Sequence, residues 1–222
     1  NTNHNSDPVV IVNAKRTPMG AFMGSLSSVP ATKLGASVIS ALGVENITGD
    51  EVIMGCVLPA GLGQAPGRQA CLGAGLSQQV AATTINKVCG SGMKACMLAH
   101  DLILAGSAQV VIAGGMENMS QAPYILPKAR EGYRMGHGQM LDHMMLDGLE
   151  NAYDSKAMGC FAQDTADAQH FSREQMDEFA VNSLNKAKRA IENAEFVDEI
   201  SPVTVSSRKG DVLVGEDEGP GK

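Results

Sequence analysis

One stretch constrains this chain more than any other. Residues 81–117 read as a strand, a glycine-bounded bend, a helix and a second strand in immediate succession. Residues 81–85 are small and threonine-rich, as a short strand is. The bend is 86–95, Asn-Lys-Val-Cys-Gly-Ser-Gly-Met-Lys-Ala, and the chain then runs without proline as far as Ala105 and Gly106. Residues 109–115, Gln-Val-Val-Ile-Ala-Gly-Gly, are a β-branched run stopped by glycines, the mark of a strand covered on both faces. An α/β fold is expected.

Cys89 falls where the first strand hands over to the helix. Unpaired backbone N–H groups and the positive end of a helix dipole favour a thiolate there, and so a nucleophile. Gly90 and Gly92 have no Cβ, so a substrate carbonyl has room to approach the sulfur, and the bend has access to φ values other residues avoid. Backbone donors at these positions are candidates to hold a developing oxyanion.

Two other readings compete. Free cysteines are most often small buried hydrophobes, which is the reading taken for Cys56, in an apolar strand, and Cys96, on the helix face of Met93, Met97 and His100. Cys71 and Cys160 also lack the setting of Cys89. Residues 90–95 further match the dinucleotide pattern G-x-G-x-x-G/A, with Glu117 at nearly the spacing of a ribose ligand. The strand before them is too short and too late in the chain for that fold's usual opening. Cys96 and His100 are two ligands and do not make a zinc site, so no metal is expected.

With 222 residues and 44% hydrophobic content the chain can bury a core as one large or two small domains. A net charge of −7 disfavours nucleic acid and anionic membranes as partners. The charge is unevenly placed: residues 1–118 hold six Lys and Arg against six Asp and Glu, and 119–222 hold eleven against eighteen, which suggests a boundary near 118. Five cysteines without a C-x-x-C pair argue for a reducing, cytoplasmic setting. No apolar run approaches a membrane span, and the polar opening shows no secretory signal.

The remaining elements follow from punctuation. Residues 9–12 read as a central strand with Arg16 in its exit turn, where a solvated or salt-bridged arginine is favoured over an anion site. Residues 31–42 read as a helix stopped by Gly43, 52–58 as a strand, and the glycine-rich 61–75 as a loop entering a short helix without the Gly-Lys-Ser/Thr of a P-loop. The helix after Cys89 is expected to bury Met93, Met97, Ile103 and Leu104 with His100. Residues 121–145 have no period and read as an interaction loop. Ser172 and Gln175 open a helix as a capping box, with a stripe of Met176, Phe179, Ala180, Leu184, Ala187 and Ile191 ending near Asn193. Residues 203–205 and 212–214 read as a hairpin whose tip, Arg208 and Lys209, is solvated charge, and 215–222 as structureless.

These residues carry a resemblance. The stretch 86–95 resembles the acyl-enzyme motif of thiolases, and 114–120, Gly-Gly-Met-Glu-Asn-Met-Ser, resembles the segment that follows it in the acetyl-CoA acetyltransferases of that family. Residues 10–17 resemble the family's opening strand and 206–210 its late hairpin, so the likeness covers nearly the whole chain in order. It implies a layered thiolase-like fold, with 1–118 as the amino-terminal core half, built on a mixed sheet, and 119–222 as a partial loop domain. It also implies acyl transfer between CoA thioesters through Cys89, joining two acetyl-CoA into acetoacetyl-CoA or cleaving the product. Coenzyme A is then substrate and product, with no separate cofactor.

By the same match, Leu149 and Met158 line the pantetheine and acyl channel, and the loop 121–145 pairs subunits of a homotetramer, a dimer of dimers. Where the common biosynthetic pattern has a histidine before Met-Gly, this chain has Ala157. The family's general bases come from a second, carboxyl-terminal half whose motifs do not occur by Lys222, so these residues are expected to need that half for activity. A β-ketoacyl synthase-like enzyme and a non-catalytic assembly fragment remain as alternatives.

Overall fold

The computed structural model describes residues 8–44 and 49–221. The expectation drawn from the first seven residues lies outside that range.

Three parallel strands form the centre. They are β1 (Glu51–Gly55), β2 (Ala81–Ile85) and β3 (Val111–Gly115), in the order β2-β1-β3. The crossovers between them carry the helices α2 (Pro66–Gly73) and α3 (Ser91–Leu104), and α1 (Ala31–Ala41) precedes β1. Alternation along β1 explains the layers. Val52 and Met54 join α1 and α2 in the main core with Ile39, Ala70, Cys71, Ile112 and Met116. Ile53 and Gly55 face the opposite way, toward α3, which packs on β1 and β3. The result is a sheet between helix layers, the α/β arrangement expected.

Boundaries follow their punctuation. Gly43 has a φ of 67° just after α1, the left-handed position that ends helices, and Pro66 stands at the start of α2. The capping box of α5 (Arg173–Glu192) forms in both directions between Ser172 and Gln175. The hairpin is β6 (Val203–Ser207) with β7 (Gly210–Val214), its tip the exposed pair Arg208 and Lys209. Within 121–145, two short strands, β4 (Tyr124–Ile125) and β5 (Leu141–Asp142), pair antiparallel, and every residue from 126 to 140 between them is exposed. Among the described residues no helix is long and apolar enough to cross a membrane.

Burial departs from expectation in three places. Residues 9–12 join no strand ladder among the described residues, and Val10, Ile11 and Val12 are 65%, 89% and 82% exposed. A cleft of about 640 Å³ separates them from β3, lined by residues 9–17 on one side and 110–117 on the other, with α1 and α3 flanking it. The strand this run was expected to form has no neighbour to pair with. In α3 the buried residues are Ser91, Ala95 and Ala99, while Met93, Met97, Leu104, Cys96 and His100 are exposed and Ile103 half-buried. The helix lies close to the sheet on its small residues, and its large ones face away. In α5 only Ala190 is buried among the described residues, and Phe179, Ala180 and Leu184 of the expected stripe are exposed.

The tail is not structureless. Asp217 takes a two-pronged contact from Arg16, Nη1 to Oδ1 at 2.7 Å and Nη2 to Oδ2 at 3.0 Å, and accepts the Met19 N–H. Arg16 also reaches Glu199 through Nε and lies over the Phe196 ring. Glu218 accepts from the N–H groups of Ala21 and Ser25. Arg16, expected to be solvated or salt-bridged, is salt-bridged and ties the first segment to the last. Leu26, Val29 and Leu34 pack against Val203 beside it.

The Arg16 hydrogen bonds hold the Asp217 carboxyl below its usual range. A depressed folded-state pKa means the stabilisation is fully present above the unfolded value, near 4, and is lost as pH falls through the lower folded value. Asp217→Asn should therefore cost about 1–3 kcal/mol at pH 7. In thermal melts the gap between parent and variant should narrow as pH falls below the unfolded value; a gap that stays constant as far into acid as the protein remains folded would refute the assignment.

Candidate active site

The three parallel strands end on one side of the sheet, and the candidate residues lie there. After β1 come Cys56, Val57 and Leu58; after β2, the bend 86–90; after β3, Met116, Glu117 and Asn118. Open parallel sheets commonly place their chemistry at this carboxyl edge.

Cys89 stands two residues before α3 and is exposed, as expected. The backbone that presents it is not as expected. Gly90 has an ordinary φ of −87°, and the left-handed residue is Val88, at 47°. A β-branched side chain is unfavourable there, so its surroundings must hold it. They do so bond by bond. The Val88 N–H donates to Asn86 Oδ1 at 2.8 Å, the Gly90 N–H to the Lys87 carbonyl at 3.1 Å, and the Ser91 N–H to the Val88 carbonyl at 3.0 Å. The Ser91 hydroxyl accepts from the Lys87 N–H and donates to the Val88 carbonyl.

This accounting reassigns one of the two glycines. The Gly90 N–H is committed to Lys87 and is not free to meet an oxyanion. The Cys89 and Gly92 N–H groups make no hydrogen bond among the described residues, so the uncommitted donors are the cysteine's own and that of Gly92. Gly92 serves the approach of helix to sheet: a Cβ there would stand 3.5 Å from the Gly115 nitrogen. On β1 the constraint is stricter, since a Cβ on Gly55 would lie 2.6 Å from that of Ser91.

Glu117, the ribose candidate of the dinucleotide reading, is already occupied. Its carboxylate accepts the Val57 and Leu58 N–H groups at 2.7 and 3.2 Å and lies 3.8 Å from the Cys56 sulfur. It braces the turn after β1. Burial, with the Glu117 charge beside it, pushes the Cys56 thiol up to about 12. Cys71 is buried too, and its thiol is raised chiefly by desolvation.

Leu149 and Met158 are brought together. Leu149 ends one turn of π-helix, Met145–Leu149, and Met158 opens α4 (Met158–Ala168), while Glu150 and Ala157 pair between them. The link from this pair to Cys89 is indirect. Gly148 lies against Leu58, whose neighbour Val57 accepts a 3.4 Å hydrogen bond from Asn86 at the foot of the bend. Beside Leu149, His143 is buried, with Nδ1 2.5 Å from Asp147 and an Nε2 that has no partner among the described residues. Among the described residues no three His, Cys, Asp or Glu side chains converge as a metal site.

Three contributors escaped the sequence: Ser91, Asn86 and Glu117 in its bracing role. Only Asn86 carried a local signal, an Asx residue two positions before a strained amide.

The fold and bend define a parallel α/β protein that presents an exposed cysteine at a strand-to-helix junction. Residues 9–222 match the model of the thiolase N-terminal domain, and the chain belongs to the thiolase family. It is 52% identical over 207 aligned positions to an acetyl-CoA acetyltransferase of Cupriavidus necator, covering 91% of this chain and 53% of that protein. It is 50% identical over 209 positions to the Pseudomonas aeruginosa acetyl-CoA acetyltransferase, covering 92% and 53%. With acetyl-CoA acetyltransferase 2 of Arabidopsis thaliana the identity is 48% over 224 positions, covering 98% and 56%. The chain spans about half the length of the curated relatives it matches.

Exposure predicts the thiol chemistry of these 222 residues. A thiol alkylating reagent at pH 8 should modify Cys89, Cys96 and Cys160 in the native chain and reach Cys56 and Cys71 only after denaturation, as read by peptide mass mapping. Native modification of Cys56 would contradict the burial that raises its thiol.

Proposed function

We propose that the chain supplies the acyl-accepting half of an acetyl-CoA C-acetyltransferase. Cys89 attacks the carbonyl of acetyl-CoA. A bond forms between its sulfur and the acetyl carbon, the bond to the CoA sulfur breaks, and CoA leaves as the thiol with the proton that Cys89 gave up. A second acetyl-CoA, deprotonated at its α-carbon, then attacks this thioester to give acetoacetyl-CoA and restore the cysteine; thiolysis runs the same steps backward. Splitting one difficult substitution into two is what a covalent nucleophile contributes.

The observation that carries this reading is Cys89: exposed on a constrained bend at a helix start, with its own N–H unclaimed where a tetrahedral oxyanion would form. The relatives' names support the substrate and favour this reaction over a β-ketoacyl synthase-like condensation or a non-catalytic assembly role. Leu149 and Met158, adjacent across the Glu150 and Ala157 pair, line the passage for pantetheine and acyl group. Coenzyme A serves as substrate and product without a further cofactor.

The general bases come from further polypeptide, a carboxyl-terminal half. No titratable side chain is hydrogen-bonded to Cys89 among the described residues, and the relatives are nearly twice as long. The bare face of α3 and the cleft between 9–17 and β3 are where that half packs. The exposed arm 126–140 joins subunits into a homotetramer. The reading places the enzyme in the cytoplasm, where its exposed thiols stay reduced.

Incubation with acetyl-CoA and the remaining polypeptide should leave one acetyl group on Cys89, absent in Cys89→Ser, by peptide mass spectrometry. Without that polypeptide, acetylation should slow by about 100-fold or more, the usual contribution of a positioned base. An unacetylated Cys89 in the full-length protein would overturn the proposal.

A further inference from the structure

Val88 is the strained point of the bend, and one side chain brackets it. Ser91 is 4% exposed, wedged against Gly55 at the end of β1. Its hydroxyl accepts the Lys87 N–H at 2.8 Å, just before the left-handed residue, and donates to the carbonyl of Val88 itself at 2.6 Å. A left-handed valine is unfavourable and persists only when its surroundings over-determine it. An asparagine or glycine would adopt the same conformation with little cost. The chain instead keeps a residue that opposes the bend and fastens it from the first turn of the helix.

We propose that Ser91 is a positioning residue for the reaction at Cys89: its hydroxyl holds Val88 in the left-handed conformation that turns the cysteine outward at the start of α3. Cys89 lies between the two ends of this clasp. Lys87 is fastened before it and Ser91 sits after it, so losing the hydroxyl removes two of the bonds that hold the bend and leaves it to the Asn86 contact and the backbone bonds from Gly90 to Lys87 and from Ser91 to Val88. Asn86 supports the same bend from the strand side through the Val88 N–H, and Gly55 provides the space in which the Ser91 Cβ sits. The proposal rests on Cys89 being the nucleophile, but its geometry can be tested apart from acyl transfer.

The test measures alkylation of Cys89 by iodoacetamide in the full-length protein, by peptide mass mapping, with Cys160 as the exposed reference and Cys56 and Cys71 as reporters of intact burial. Ser91→Ala should slow Cys89 by about tenfold relative to Cys160, the scale of a small misplacement of a reacting group, and leave Cys56 and Cys71 protected. Val88→Asn placed in the Ser91→Ala background removes the need for the clasp and should restore the Cys89 rate to within about twofold of the parent. An unchanged Cys89 rate in Ser91→Ala overturns the proposal. So does failure of Val88→Asn to restore the rate, including the case in which Ser91→Ala unfolds, labels Cys56 and Cys71, and is not recovered by the second substitution. Parallel incubation with acetyl-CoA separates the two ideas. A parent protein that alkylates at Cys89 and obeys this pattern, yet takes no acetyl group, refutes the acyl-transfer reading while leaving the clasp in place.

Discussion

The approach of the first turn of α3 to the ends of β1 and β3 governs the rest of the structure. No Cβ fits at Gly55, and Gly92 meets the backbone of Gly115 at van der Waals distance. A helix that starts so close to its sheet leaves only residues 86–90 to reverse direction after β2. The local backbone must then take an unfavourable conformation somewhere, and it does so at Val88. The strain, the exposure of Cys89 and the free amide beside it are three consequences of one packing distance. The same closeness explains why α3 buries alanines: at this separation a larger side chain on the sheet-facing side would overpack.

Elements were legible in the sequence where they depend on local backbone chemistry. The glycine after α1, the proline opening α2, the Ser172 and Gln175 pair and the β-branched runs of β1 and β3 each act through their own residue's φ, missing donor or side-chain shape. What each face covers was not legible in the same way. The apolar stripe of α3 is real, but periodicity reports only that one side is apolar, and here the sheet takes the small residues and leaves Met93 and Met97 outward. Residues 9–12 fail for a related reason: a strand is defined by its neighbours, which a run of valines and isoleucine cannot supply. Glu117 and Asp217 were unreadable because their main partners are backbone amides or an arginine two hundred residues away, and neither leaves a spacing to find.

The outward residues form a pattern. Val10, Ile11 and Val12 border the cleft beside β3, Met93, Met97 and Leu104 cover the outer side of α3, and Phe179 and Val181 stand bare on α5. Scattered apolar side chains at a surface are ordinary, but a bare stripe along a central helix together with a vacant edge beside a parallel strand is not. Each gap in turn matches one kind of element: a cleft along the parallel strand β3 suits a strand, and a stripe at helical spacing suits a helix. The half-length relation to the relatives and the exposed surfaces thus agree with each other while resting on independent observations.

Cys56 and Cys89 show how far environment outweighs residue type at this edge of the sheet. Each follows a parallel strand. Cys56 follows the central one, is enclosed by the core, and has the Glu117 carboxylate 3.8 Å from its sulfur; both burial and charge oppose a thiolate, and the thiol is held near 12. Cys89 follows the edge strand β2, where the chain swings out over the start of a helix and the nearby groups are amides and open approach.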